Sequence, residues 1–135
     1  FKMAGLDPAR HLLFLPWQGW TDYLQLNGVC DVFLDSVGWS GGNTSMEALS
    51  RALPIVTLPT NLMRGRHAYA MLKVLGLDEC ITRDLESYVE MAARLGTDTA
   101  FNAQIRQRIK AGHPKLYDDL EPIKVLERLI ETVVG

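Results

Sequence analysis

Four short apolar segments, "HLLFLPW" (11–17), "DVFLDS" (31–36), "PIVTLP" (54–59) and "ECITRD" (79–84), alternate with runs of helical spacing. This alternation constrains the fold more than any other feature. Strands apolar on both faces and separated by helices pack as a parallel sheet covered on both sides. The intervening helices are expected at "TDYLQLNG" (21–28), "TSMEALSRAL" (44–53) and "GRHAYAMLKVLG" (65–76). Thr21 is placed to cap the first of them, and Gly28 to end it. Pro54 stops the second, since its nitrogen carries no proton for the i→i−4 bond. Gly76 closes the third.

After residue 84 the pattern is all helix. "DLESYVEMAARLG" (84–96) aligns Leu85, Tyr88, Met91, Ala92 and Leu95 on one face. "DTAFNAQIRQRIKAG" (98–112) takes Asp98 as its cap and Phe101, Ile105 and Ile109 as its stripe; Gly112 and Pro114 are expected to break it. A last helix, about 118–134, carries Leu120, Ile123, Leu126, Leu129, Ile130 and Val133. A chain of 135 residues is long enough for one core. The architecture expected is α/β: a single domain over 1–135, a Rossmann-like three-layer α/β/α partial lobe of about four parallel strands with C-terminal helices.

Several function classes are disfavoured. A formal charge of −2 supplies no basic field for nucleic acid or anionic lipid. No apolar run approaches the ~20 residues of a membrane helix, and no leader-like segment opens these residues. Neither nucleic acid nor a membrane is therefore expected as a partner. Cys30 and Cys80 lie far apart without a C-x-x-C pairing, which suits two reduced thiols and a cytoplasmic setting. His11, His67 and His113 show no metal-ligand spacing, so no metal site is expected.

The candidate site is the stretch "FLDSVGWSGGNTSMEAL" (33–49), where a strand hands over to a helix. Ligands of parallel α/β sheets bind outside the carboxyl ends of the strands. Gly41 and Gly42 let the backbone turn and approach a ligand closely. Asn43 and Thr44 then offer donors at the helix start, where unpaired amides and the dipole favour phosphate. Glu47, three residues beyond Thr44, can accept bonds from two ribose hydroxyls. The same residues also spell a capping box, Thr44-x-x-Glu47, which would satisfy the amides and bind nothing. The corner is neither the G-x-G-x-x-G fingerprint nor a Walker A loop, which argues against NAD and against ATP hydrolysis. Asp35, at the end of the strand, reads either as a catalytic acid or as a loop-ordering acceptor.

Two further groups fall on the same rim. "LPWQGWTDYL" (15–24) gathers Trp17, Trp20 and Tyr23, which suit core packing or a stacking face for a nucleobase. "TLPTNLMRGRHAY" (57–69) carries Arg64 and Arg66, which suit a diphosphate or the tying down of a loop.

The run "FLP…DYL…DVFLDSVGWSGGNTSMEALSRALPIVTLP…RGRHAYAMLKVLGLDECITRDLESYVEMAARLGTD" resembles the C-terminal lobe of the protein O-GlcNAc transferase and SPINDLY-type glycosyltransferases. It is most similar to bacterial members that follow tetratricopeptide repeats. The resemblance covers about residues 10–110 in collinear order. It implies a GT-B architecture of two Rossmann-like lobes, with a UDP-sugar held mainly by the C-terminal one. The implied chemistry is metal-independent, inverting transfer of a sugar to Ser or Thr hydroxyls of a protein, with no cofactor beyond the donor.

Carried over by position, the family's phosphate-binding loop falls on Gly42, Asn43 and Thr44 beside Gly41, and its ribose-binding acid on Glu47. Its base-packing position falls on Tyr23, and a nearby nucleotide contact on Trp20. The animal enzymes differ, with His-Thr-Thr for Gly-Asn-Thr, Asp at Glu47, His at Tyr23 and Lys at Trp20. Donors with UDP-GlcNAc and GDP-fucose both occur among relatives. The resemblance also implies that the other lobe, the first strands of this one and a phosphate-binding lysine lie upstream of Phe1. No catalytic residue is thus expected in this chain. The fragment alone is expected to be inactive, with an open sheet edge through which a homodimer could form. Two alternatives remain open from the residues: a UDP-sugar 2-epimerase-like enzyme of the same architecture, and a non-catalytic interaction lobe.

Overall fold

The computed structural model describes residues 2–134. After a short helix α1 (Pro8–His11), the chain forms α2 (Trp20–Val29), β1 (Phe33–Leu34), α3 (Asn43–Ser50) and β2 (Ile55–Val56). Then follow α4 (His67–Leu75), α5 (Leu85–Thr97), α6 (Thr99–Tyr117) and α7 (Glu121–Val134).

The expected parallel sheet is present in reduced form. β1 and β2 pair in parallel, Phe33 opposite Ile55 and Leu34 opposite Val56. The ladder continues through Asp35 N–H to Val56 C=O at 3.1 Å. The sequence pattern predicts about four strands, and two form among the described residues. The segment 79–84 opens with a single 3-10 turn, Asp78–Cys80, and contributes one parallel bridge, Ile81 to Thr57. The segment 11–17 leaves α1 and pairs with nothing in the sheet; Leu13, Phe14 and Trp17 are exposed. Apolar runs become strands only where a neighbouring ladder takes their backbone groups, and here none does.

Ile55 and Val56 point to opposite faces of the sheet and both are fully buried, so β2 is covered on both sides. β1 is the thinner edge, with Leu34 56% exposed. The core gathers Leu49 and Leu53 around α3, Leu72 and Leu77 around α4, and Leu95, Ile105 and Ile109 from α5 and α6.

Helix ends follow local chemistry in part. Asp84 and Asp98 cap α5 and α6 through bonds to Ser87 N–H (2.8 Å) and Phe101 N–H (3.0 Å), and Gly76 ends α4 in the left-handed region. Other expectations fail. α2 starts at Trp20 with Gly19 as its cap instead of Thr21, and it runs through Gly28 to Val29. α6 does not break at Gly112 and Pro114 but continues to Tyr117. Gly112 is the point where α6 touches α4, since a Cβ there would collide with Leu75 Cδ2. The stripe of α7 is not buried: none of its described residues is. Leu85 is likewise exposed, whereas Leu95 of the same face is buried.

Neither cysteine is in a disulfide, and Cys80 is fully buried. Burial pushes its thiol from 9.0 up to about 12. Iodoacetamide at neutral pH is therefore expected to spare Cys80 in the native protein and modify it after denaturation, as read by mass spectrometry. A raised folded pKa favours the native state below the ordinary thiol value. That contribution fades as pH climbs from 9.0 towards 12.

Candidate functional site: a glycine corner at the sheet's rim

The corner starts where β1 ends. Asp35 is 3% exposed, and its carboxylate is fully engaged by neighbours. Oδ2 accepts the hydroxyls of Ser40 (2.8 Å) and Thr57 (2.6 Å), and Oδ1 accepts Gly41 N–H (2.8 Å). Tyr88 OH donates to the Asp35 carbonyl at 2.9 Å, tying α5 to the same spot. Of the two readings of Asp35, the structure carries the loop-ordering one. Burial, with the Asp35 charge nearby, raises the Tyr88 phenol above its ordinary range and keeps it a donor.

Downstream, α3 begins at Asn43 with Gly42 as its cap, and no side chain caps it. The capping box Thr44–Glu47 is not formed. The Glu47 carboxylate instead accepts the Trp20 indole N–H at 3.2 Å. The first backbone bond of the turn runs from Met46 N–H to Gly42 C=O at 3.2 Å. Among the described residues no hydrogen bond engages the amides of Asn43 and Thr44, and the helix dipole lies behind them. Gly41 belongs to the corner's frame rather than to those free donors, because its amide is held by Asp35.

The site residues named from the sequence fall into two adjoining cavities. One, of about 390 Å³, is bounded by Phe33, Trp39 and the run Gly41, Gly42, Asn43, Thr44. The other, of about 500 Å³, is lined by Trp17, Trp20, Tyr23, Thr44 and Glu47. Thr44 lines both and so joins a compartment of glycines, Asn43 and the engaged Asp35 to an aromatic one that contains Glu47. Trp17 and Trp20 are exposed at this rim and are not core residues.

The two arginines part company. Arg66 ties down its loop, donating to Thr60 C=O at 3.2 Å with its guanidinium 4.2 Å from the Tyr69 ring centroid. Arg64 lies 5.5 Å from the centroid of Trp39.

Sequence reasoning missed the residue that joins these parts, Ser40. Its amide donates to Arg64 C=O (2.7 Å), and its hydroxyl accepts Ala68 N–H (2.9 Å). Its carbonyl lies 3.2 Å from His67 Nδ1. A carbonyl can only accept, so Nδ1 carries the proton. Ser40 thereby fastens the glycine corner to the start of α4. A lone serine before two glycines offers no signal for this. Thr57 does, as the polar residue in the apolar strand "PIVTLP".

From behind, α6 steadies the site helix. Tyr117 OH donates to Met46 C=O (2.6 Å) and His113 Nε2–H to Leu49 C=O (2.9 Å).

Comparison with known proteins adds to this geometry. The profile of glycosyl transferase family 41 matches residues 2–118. A UDP-N-acetylglucosamine–peptide N-acetylglucosaminyltransferase of Caenorhabditis elegans is 32% identical over 105 residues, covering 78% of this chain and 9% of that protein. A probable enzyme of the same name, SPINDLY, from Solanum lycopersicum is 27% identical over 109 residues, 81% of this chain and 12% of that one. Among solved structures, a point mutant of the O-GlcNAc transferase of Thermobaculum terrenum superposes with a TM-score of 0.84 at 31% identity. That match covers 96% of this chain and 25% of the other. The chain thus spans 9% and 12% of the lengths of these two curated relatives.

Proposed function

The chain belongs to glycosyl transferase family 41, and we propose that it forms the nucleotide-sugar-binding part of a cytoplasmic protein O-glycosyltransferase. The donor is a UDP-sugar, with UDP-GlcNAc the first choice from the names of the relatives. The sugar passes to a Ser or Thr hydroxyl of a protein acceptor with inversion. The acceptor hydroxyl attacks the anomeric carbon as the bond to the diphosphate breaks, and no residue of this chain is assigned as the base that takes its proton.

One observation carries this reading: Thr44 stands between an amide-rich cavity and an aromatic one containing Glu47. A nucleoside diphosphate has the same sequence of parts. Its base stacks beside Trp20 and Tyr23, its ribose hydroxyls donate to Glu47, and its phosphates meet the amides of Gly42, Asn43 and Thr44. Trp20 takes one lone pair of Glu47 and fixes the carboxylate, which leaves its other lone pairs for the sugar. As the glycosidic bond breaks, negative charge grows on the leaving diphosphate. Amides already aimed at that charge stabilise it without reorganisation, so no metal ion or cofactor is called for.

Nucleotide titration of the full-length protein with UDP, GDP and ADP tests the assignment. Thr44→Ala and Glu47→Ala are each expected to weaken binding by about 1–2 kcal/mol, the scale of one charge-assisted hydrogen bond. UDP and GDP affinities unchanged in both variants would remove the site. Formation of the C2 epimer of the sugar from UDP-GlcNAc without a peptide acceptor would favour the 2-epimerase-like alternative instead. The open edge of β1, where Leu34 is exposed, is the surface through which a second copy would pair.

A further inference from the structure

The segment Met63–Gly65, a single 3-10 turn leading into α4, lies next to the corner. It is fastened there, because Ser40 bonds to Arg64 C=O, to Ala68 N–H and to His67 Nδ1. Arg64 is the middle residue of this turn and is exposed. Its guanidinium lies 5.5 Å from the ring centroid of Trp39, within the range of a cation–π contact. Trp39 itself is 69% exposed and lines the cavity that holds Gly41, Gly42, Asn43 and Thr44. Among the described residues Arg64 has no carboxylate partner, in contrast to Arg94 and Arg108, which do. A cation therefore stands beside Trp39, one wall of that cavity, while the carboxylate that also lines it, Asp35, is engaged by Ser40, Thr57 and Gly41.

We propose that Arg64 is a diphosphate-binding residue and that Trp39 is its platform, holding the guanidinium flat at the mouth of the corner. The inference rests on the nucleotide-sugar reading above and deepens it. Arginine suits this role because its planar fork meets two phosphate oxygens at once, and its weak hydration lets it stack on an indole while doing so. The amides of α3 then bind the diphosphate from one side and Arg64 from the other. As charge moves to the leaving group, both are in place beforehand.

The test uses the full-length protein and two ligands, UDP and uridine, which differ only in the phosphates. Arg64→Ala is expected to weaken UDP binding about tenfold, the worth of one charge-assisted contact, and to leave uridine binding unchanged. Arg64→Lys keeps the charge and loses the flat fork, so it should restore part of the loss. Trp39→Leu should weaken UDP a few-fold on its own and add nothing in the Arg64→Ala background, as residues acting through one another do. Arg64 is exposed, and unchanged melting temperatures would set folding aside as a cause. Wild-type UDP affinity in Arg64→Ala, with Thr44→Ala impaired, would overturn the inference and leave the nucleotide reading intact. Equal losses for UDP and uridine would also overturn it. A further loss from Trp39→Leu on top of Arg64→Ala would refute the platform role. A wild-type protein that binds neither UDP nor GDP would overturn both the inference and the reading beneath it.

Discussion

Asp35→Ala is expected to lower the stability of the fold by about 3–4 kcal/mol, the scale of a buried polar network losing its shared acceptor. The carboxylate takes three donors, from Ser40, Thr57 and Gly41, at 2.8, 2.6 and 2.8 Å. Ser40 and Thr57 are themselves buried, so water is not at hand to replace what alanine removes. Each donor left unpaired costs about 1–3 kcal/mol, and the hydroxyls can turn, which sets the sum near the lower end. Asp35→Asn should cost roughly half as much by the same scale, since its carbonyl still accepts Gly41 N–H while the hydroxyls reverse their roles. Denaturant unfolding of the two variants against wild type measures both. A value for Asp35→Ala within about 0.5 kcal/mol of wild type, the range of an ordinary surface change, would show that the network orders nothing.

The same network explains why a carboxylate is tolerated beside a proposed phosphate site. Three donors and burial hold its charge inward, and its one contact with the glycine run is spent on fixing Gly41. The rest of the corner's lining is left to Trp39 and to the run from Gly42 to Thr44. A negative charge thus shapes the proposed anion site from behind.

How far the sequence discloses this fold depends on the range of the interaction concerned. The cap at Asp98 and the end of α4 at Gly76 are settled within a few residues, and they read directly. The pair β1–β2 is legible because both runs are apolar and both find a ladder. The runs at 11–17 and 79–84 share that composition, yet the first has no ladder partner and the second has one bridge. Gly28 and Gly112 show the same limit. Glycine ends helices often enough to be read as a stop, but at Gly112 it lets α6 approach Leu75 of α4. The apolar stripe of α7 has true helical spacing, but period does not say what covers it. In the site, the glycine run and Glu47 could be named from local spacing. The bond from Trp20 to Glu47 spans 27 residues and the bond from Thr57 to Asp35 spans 22, so neither could be read from a single stretch. Those long-range bonds decide between capping box and open helix end, and between acid and scaffold.

Gly41→Ala carries the largest expected effect on ligand binding, and it separates the corner's shape from its chemistry. Gly41 lies outside the positive-φ region, so alanine can adopt its backbone. The obstacle is the methyl group. A Cβ built at Gly41 would lie 2.5 Å from Thr44 Oγ1 and 2.9 Å from Ser45 Oγ. Ser45 is fully buried and cannot give way outward, so the strain falls on Thr44 and the first turn of α3. Thr44 is the residue shared by both cavities, so displacing it disturbs the proposed phosphate and ribose contacts together. Nucleotide affinity is therefore expected to fall by about 2–3 kcal/mol, more than Thr44→Ala alone, which deletes one contact and leaves the amides where they were. Gly42→Ala is the control. A methyl there would meet only His67 Nδ1, at 3.9 Å, an ordinary contact distance, so it is expected to cost far less. Isothermal titration of both variants with UDP decides the matter. Equal affinities for the two alanine variants would mean that the spacing between Gly41 and Thr44 does not set the geometry of the site.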